Sequence, residues 1–314
     1  MPRLLALSYF APSVLPRLLR AAGGAGLPAN ARVYVGSYGV GGELADAIEN
    51  AGYRYAPMFH LKPSWYWERR RLPQDTANRS LAGPLPDLPE LLRLSTAPRV
   101  RWGVELGARF RDAIRAAEDA GATVQAWQLD EIQAEAAGGQ GRQYREFTRG
   151  VLSGLLSGRT RLGDRPRQGL VWWAHTAFTL PRRPVTPELS AFWRILNRSC
   201  LGLLGEEYPE FVGDPRAAAR AEASGQRALQ QGGPVRQALA RKYVAAMTPG
   251  YHLAAGLGGN TRGLAPAEVD RWRESYVAAR DAAAVAGFAE FDFRFGNNRL
   301  RVMQAVLHAL ARHL

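Results

Sequence analysis

The stretch Val124-Gln-Ala-Trp-Gln-Leu-Asp-Glu-Ile132 is an apolar run that breaks into two adjacent carboxylates, Asp130 and Glu131. Altered versions recur at Arg101-Trp-Gly-Val-Glu-Leu106, Leu201-Gly-Leu-Leu-Gly-Glu-Glu-Tyr208 and Phe288-Ala-Glu-Phe-Asp-Phe293. Two carboxyl groups in different surroundings can divide acid–base work. One, kept protonated, gives a proton to a leaving oxygen; the other, ionised, takes a proton from water or attacks carbon. A buried parallel strand reads as a continuous apolar run, so an acid at its end belongs where the strand meets solvent. If the four ends share one rim, Glu105, Asp130, Glu131, Glu206, Glu207 and Asp292 line a common pocket.

Positioning such a rim requires alternating strands and helices. Strand candidates are Leu4–Phe10, Arg32–Tyr38, Arg54–Phe59, Val100–Leu106, Thr123–Asp130, Gly169–His175, Cys200–Glu206, Val244–Thr248 and Phe288–Phe293. Helical patterns lie between them, the clearest over Gly42–Ala51, Arg109–Ala120, Tyr144–Leu156, Pro187–Asn197, Pro215–Gln231 and Pro266–Ala286. Thr186 and Asp214 stand as N-caps before prolines, and Gly52, Gly121 and Gly287 follow helix ends. This alternation predicts an α/β protein of the (β/α)8, TIM-type, class, as a single domain over residues 1–314. Nine candidates exceed eight staves, and Arg54–Phe59 or the first strand is the expected extra. The Pro- and aromatic-rich stretch from Leu61 to Arg99 reads as a long loop over one end.

Strand parity then assigns the lumen. In the last strand the apolar residues Ala289, Phe291 and Phe293 are expected to face the helices, leaving Glu290, Asp292 and Arg294 inward. The same alternation points Arg101, Gly103 and Glu105 inward, and likewise Ala126, Gln128 and Asp130. Aromatic residues gather near the expected strand ends: Tyr38, Trp65, Trp67, Trp172 and Tyr251 offer flat apolar faces. His175, Glu207, Arg294 and Asn297 add donors and acceptors. Sugar rings combine apolar C–H faces with hydroxyls and suit such a lining.

These residues resemble the broad superfamily of (β/α)8 glycoside hydrolases, through the barrel pattern and the Trp127-Gln-Leu-Asp-Glu131 segment. The chitinase-type run of spaced aspartates and the Asn-Glu pair of the large retaining clan are absent, so no family within the superfamily is indicated. The resemblance implies a carboxylate dyad, drawn from Asp130, Glu131, Glu206 and Asp292, flanking a glycosidic bond. Their separation would be about 5 Å for retention or roughly 6.5–9.5 Å for inversion.

Other chemistries stay open. Leu253-Ala-Ala-Gly-Leu-Gly-Gly-Asn-Thr-Arg262 and Phe295-Gly-Asn-Asn-Arg299 could cradle the phosphate of a phosphorylated substrate. His60, His175 and His252 fall at expected strand ends and could ligate a divalent ion, although no His-x-His or His-Glu-x-x-His spacing supports it. A non-catalytic carbohydrate-binding barrel would keep the aromatic pocket alone. Neither a cofactor nor a metal is expected. The glycines at 36, 39, 41 and 42 miss the dinucleotide spacing, and no Gly-x-Ser-x-Gly elbow is present.

The 314 residues carry a net charge of +13 from 41 basic residues, of which only Lys62 and Lys242 are lysine. The arginines are spread among acids along helices rather than clustered, so no specific nucleic-acid partner is expected. No run reaches the ~18–20 apolar residues that span a bilayer. The start lacks a small-x-small cleavage site, which gives a cytoplasmic expectation for the chain as it stands, with secretion the alternative for a chain from which a signal has been removed. The partner expected is a carbohydrate or another small molecule; the sequence leaves the oligomeric state open. Cys200 closes an apolar-faced segment and reads as a buried, inert thiol.

Overall fold

The computed structural model describes residues 3–8, 10, 12–61, 88–132, 141–157, 167–173, 185–206, 215–247, 266–282, 285–291 and 300–314. The strands are β1 (Leu4–Ser8), β2 (Arg32–Gly36), β3 (Arg54–Tyr55), β4 (Met58–His60), β5 (Trp127–Ile132), β6 (Gly169–Trp173), β7 (Cys200–Glu206), β8 (Tyr243–Met247) and β9 (Gly287–Phe291). The helices are α1 (Leu15–Gly23), α2 (Gly42–Asn50), α3 (Leu88–Arg93), α4 (Thr96–Asp119), α5 (Gly141–Leu156), α6 (Pro187–Ser199), α7 (Pro215–Gln230), α8 (Pro234–Ala240), α9 (Pro266–Asp281) and α10 (Leu300–Ala311).

Every ladder is parallel, in the order β3-β2-β1-β9-β8-β7-β6-β5-β4. The two ends of that order are halves of one stave. β3 pairs with β2, β4 pairs with β5, and only Ala56-Pro57 separates them. Bridges Tyr38↔Met58 and Tyr55↔Val124 carry each half across to its other neighbour. Bonds from the Ala56 and Met58 amides to the Val35 and Ser37 carbonyls (3.0 and 2.9 Å) and from the Gln128 amide to the Pro57 carbonyl (2.8 Å) complete the seam. Proline has no N–H to donate, which is why the ladder is interrupted there. The sheet is therefore a closed ring of eight staves, the TIM-type barrel expected.

The surplus strand candidate is Val100–Leu106, and neither Arg54–Phe59 nor the first strand is superfluous. Val100–Leu106 lies wholly inside α4, which also absorbs the helix expected at Arg109–Ala120 and begins within the stretch read as loop. A seven-residue window does not separate a period of 2 from one of 3.6; Leu106, Phe110 and Ile114, all buried, repeat at the helical interval. Gly103 and Gly107 of α4 pack against Gly150 and Gly154 of α5, whose backbones meet with no side chain between them. Glu105 consequently lies on the solvent side of a helix, 2.9 Å from Arg109 one turn on, and does not face the lumen. Arg101 is exposed there as well.

Two apolar layers follow from strand parity. Leu5, Leu7, Val33, Val35, Phe59, Leu129, Val171, Trp173 and Phe288 meet the helices, with Trp173 against Trp193 of α6 at 5.6 Å between ring centroids. Leu4, Ala6, Tyr34, Tyr38, Ala56, Met58, Ala126, Leu170, Trp172, Leu204, Val244, Ala246 and Ala289 fill the lumen. Alanines are frequent in this inner set because eight staves leave room for only a few large side chains. The last strand is thus in the opposite phase to that expected: Ala289 faces in. Glu290 instead bonds Arg273 of α9 at 2.9 Å with both side chains fully buried. Burial pushes the Glu290 carboxyl up to about 8, with the Arg273 guanidinium opposing the shift. Asp292 and Arg294, assigned inward by the same parity, lie outside the described residues.

No helix among the described residues is long and apolar enough to cross a membrane. Cys200 is fully buried and its thiol is pushed up to about 12 by desolvation, against the pull of nearby Lys242. His313 follows α10. It is half-buried between Glu274 and Asp281, at 2.8 and 3.1 Å, whereas His308 is exposed.

Candidate active site

β5 brings Asp130 to the C-terminal end of the barrel. Trp127 and Leu129 are large and apolar and pack under the helices, so Ala126, Gln128 and Asp130 are left to the lumen. Leu129 pairs with Val171 and Ile132 with Trp173, so three steps along β5 match two along β6. The extra residue of this β-bulge falls at Asp130-Glu131, between two side chains that both face the helices. Bulges of this kind re-aim side chains at barrel rims.

Asp130 is 2% exposed, and its Oδ2 accepts a hydrogen bond from the Tyr38 hydroxyl. A buried carboxylate has to recover in hydrogen bonds what it loses in hydration, and a charge-assisted O–H···O bond is among the strongest available. His60, buried, lies directly across the β4–β5 ladder from Asp130, with its ring 5.8 Å from that of Tyr38. Tyr38 reaches inward because β2 ends in an unusual turn. Gly39 takes φ +95°, a left-handed backbone that lets the chain leave the barrel immediately after it. At Gly36 a Cβ would stand 1.7 Å from the Ala56 carbonyl oxygen, so only glycine permits this closeness of β2 to the split stave.

One layer deeper, Gln128 organises a polar floor. Its Oε1 accepts from the Ser8 hydroxyl (2.7 Å) and the Trp172 indole N–H (2.9 Å), and its Nε2 donates to the Ala56 carbonyl (2.9 Å). Side chains from three staves and a carbonyl from a fourth are thereby locked around one amide, and the Trp172 ring is fixed inside the lumen. Sequence reasoning placed Gln128 inward without giving it a role, and passed over Ser8. The signals were a polar residue ending the apolar run Leu4–Leu7 and a lone amide among large apolar neighbours.

Above this floor the rim is tied from outside. Arg99 of α4 donates to Glu146 of α5 and to the Leu91, Leu92 and Leu94 carbonyls; Arg145 of α5 pairs with Glu188 of α6 at 3.0 Å. These pairs join consecutive helices at their N-terminal ends, the side on which the strands emerge.

Of the expected site residues, the ring thus assembles Tyr38, Asp130 and Trp172 and excludes Glu105. Glu131 continues β5, and Glu206 ends β7, two residues beyond the lumen residue Leu204 and across from Ala246. Trp65, Trp67, His175, Glu207, Tyr251, Asp292, Arg294 and Asn297 lie outside the described residues, as do His252 and the two glycine-rich segments. Among the described residues, no three His, Cys, Asp or Glu converge as metal ligands.

Among solved structures, the chain is similar to a GH5-4 broad specificity endoglucanase from an uncultured bacterium. The TM-score is 0.47 at 9% identity, over 94% of this chain and 84% of that one. No protein-family model and no curated protein matches the sequence. The closed parallel ring itself establishes the TIM-type barrel and indicates no family.

Proposed function

We propose that the protein hydrolyses a glycosidic bond at the C-terminal mouth of the barrel, through a carboxylate pair in which Asp130 is one member and Glu206 the other. The observation that carries this is the buried Asp130, set on a β-bulge at a stave end and held by the Tyr38 hydroxyl. Active sites of this architecture are built at that face from the ends of several strands. β5 and β7 are separated by one stave, about 10 Å backbone to backbone at ~4.8 Å per strand. That spacing of the two strand ends is compatible with the carboxyl separation that glycoside cleavage requires. The protonated member gives its proton to the glycosidic oxygen as the bond to the anomeric carbon breaks. The ionised member either takes a proton from the attacking water or attacks that carbon itself and is released by water in a second step. Glu131 and Asp292 are the alternative partners. Tyr38, with Trp65, Trp67 and Tyr251 by their residue types, would supply apolar faces for a sugar above the Trp172 floor; His175, Glu207, Arg294 and Asn297 would supply hydrogen bonds.

The test is turnover of a panel of polysaccharides and aryl glycosides by the wild-type chain and by Asp130→Asn, Glu131→Gln, Glu206→Gln and Asp292→Asn. Loss of turnover with retained ligand binding in Asp130→Asn and one of the others supports the pair. Binding that persists with no wild-type turnover on any member of the panel identifies a non-catalytic carbohydrate-binding barrel instead.

A further inference from the structure

We infer, on the premise that this site cleaves glycosides, that Tyr38 is a positioning residue that keeps Asp130 as the ionised member of the pair, which leaves the proton-donating role to Glu206. The two groups meet inside the barrel, at 7% and 2% exposure, with the phenol O–H directed at Oδ2. Burial alone favours the protonated carboxyl, and a hydrogen bond donated to the charged form favours the carboxylate. The Tyr38 phenol crosses β4 to reach β5, and its place is fixed at both ends. Its backbone bridges Met58 of the split stave, and Gly39 turns the chain away immediately behind it.

The titratable neighbours favour the same assignment. From β4 comes His60, which in its charged form adds to the stabilisation of a carboxylate; Glu131 follows on β5 and Glu206 ends β7. The groups that β1 and β6 contribute to the floor just beneath, Ser8 and Trp172, do not titrate, and Glu290 of β9 is turned to the helix layer. With Asp130 held as the carboxylate, the acid at the end of β7 is the member left to carry the proton. Tyr38 acts here only as the hydrogen-bond donor.

Two measurements test this. With 2,4-dinitrophenyl α- and β-glycosides of glucose, galactose, mannose and xylose, whose leaving group needs no protonation, Glu206→Gln should retain most activity while Asp130→Asn loses it. The acid limb of kcat/KM for Tyr38→Phe should move up by about one pH unit with KM little changed. Movement of the basic limb instead, or loss of dinitrophenyl activity in Glu206→Gln but not Asp130→Asn, overturns the assignment. Independently of any substrate, the carboxylic-acid band of Asp130, isolated as the infrared difference between wild type and Asp130→Asn, should titrate at a higher midpoint once Tyr38 is phenylalanine. An unmoved midpoint refutes the role of Tyr38. A moved midpoint without turnover on any glycoside sinks the hydrolase and spares the Tyr38–Asp130 pairing. If Tyr38→Phe does not fold, the wild-type midpoint decides: the ordinary aspartate value of ~3.9 or below is expected despite burial, and a clearly higher one rejects the inference.

Discussion

Gly103 of α4 and Gly150 of α5 approach so closely that a methyl group on Gly150 would lie 3.0 Å from the Gly103 Cα and 2.3 Å from the Val100 carbonyl oxygen. Gly107 and Gly154 repeat the contact one turn further along, so the two helices run side by side backbone to backbone. Gly150→Val should therefore push α5 off α4. The expected loss is about 3 kcal/mol, read as a lower urea midpoint at unchanged slope. Val104→Ala, on the exposed side of the same helix, should cost no more than about 0.5 kcal/mol.

The corrected positions of two acids separate the site from its surroundings. Asp130→Asn should lower kcat by about 10²–10⁴. Glu105→Gln, on the helix surface, and Glu290→Gln, in the helix layer, should leave kcat/KM within about twofold of wild type. An equal loss in Glu290→Gln would mean that the last strand feeds the mouth after all.

Glu290 should make stability depend on pH in an unusual direction. Its folded value, raised to about 8, exceeds the ordinary 4.5, so between these limits the folded chain holds a proton that the unfolded chain has released. The stabilisation it contributes is full below about pH 4.5 and is lost as pH rises to 8, by up to about 1.4 kcal/mol per unit. Denaturation midpoints measured across that window should fall less steeply for Glu290→Gln than for wild type.

The C-terminal end is fastened by charge. His313 lies between Glu274 and Asp281, Arg312 meets Glu274 at 2.5 Å and Asp270 at 3.0 Å, and Arg3, just before β1, joins Asp281. Burial raises the Glu274 and Asp281 carboxyls, but hydrogen bonds from His313 with Arg312 or Arg3 outweigh it and hold both below the ordinary range. The support they give is present above their ordinary values and fades as pH falls through the lowered ones. His313→Ala should cost less than about 1 kcal/mol, and the cost should shrink further in high salt.

How much of this was legible in the sequence depended on whether the deciding contact was local. On β5 the large residues Trp127 and Leu129 alternate with small or polar ones, so the face of Asp130 could be read from its neighbours. On β9 the same rule failed because Phe-Ala-Glu-Phe satisfies either phase. The lumen accepted Ala289, and Glu290 is tolerable among the helices only because Arg273 stands opposite, a pairing no window around the strand contains. The short apolar window at Val100–Leu106 misled for a related reason. The spacing of four in Gly103-Gly107 and Gly150-Gly154 was the available sign of two helices in contact. The sequence singles out Tyr38 for its flat ring, whereas the contact it makes in the barrel is through its hydroxyl, to Asp130 ninety-two positions away.

The divided third stave has one more implication. Ala56 and Pro57 give their carbonyls to the Gln128 side chain and backbone, and Met58, one step on, bridges Tyr38. The buckle that fastens the belt of strands is thus made from the same few atoms that seat the floor and the phenol beside Asp130. A chain whose belt is still undone has neither, so ring closure and the meeting of Tyr38 with Asp130 are a single event, and any change that loosens this clasp should disturb that pair before it melts the protein.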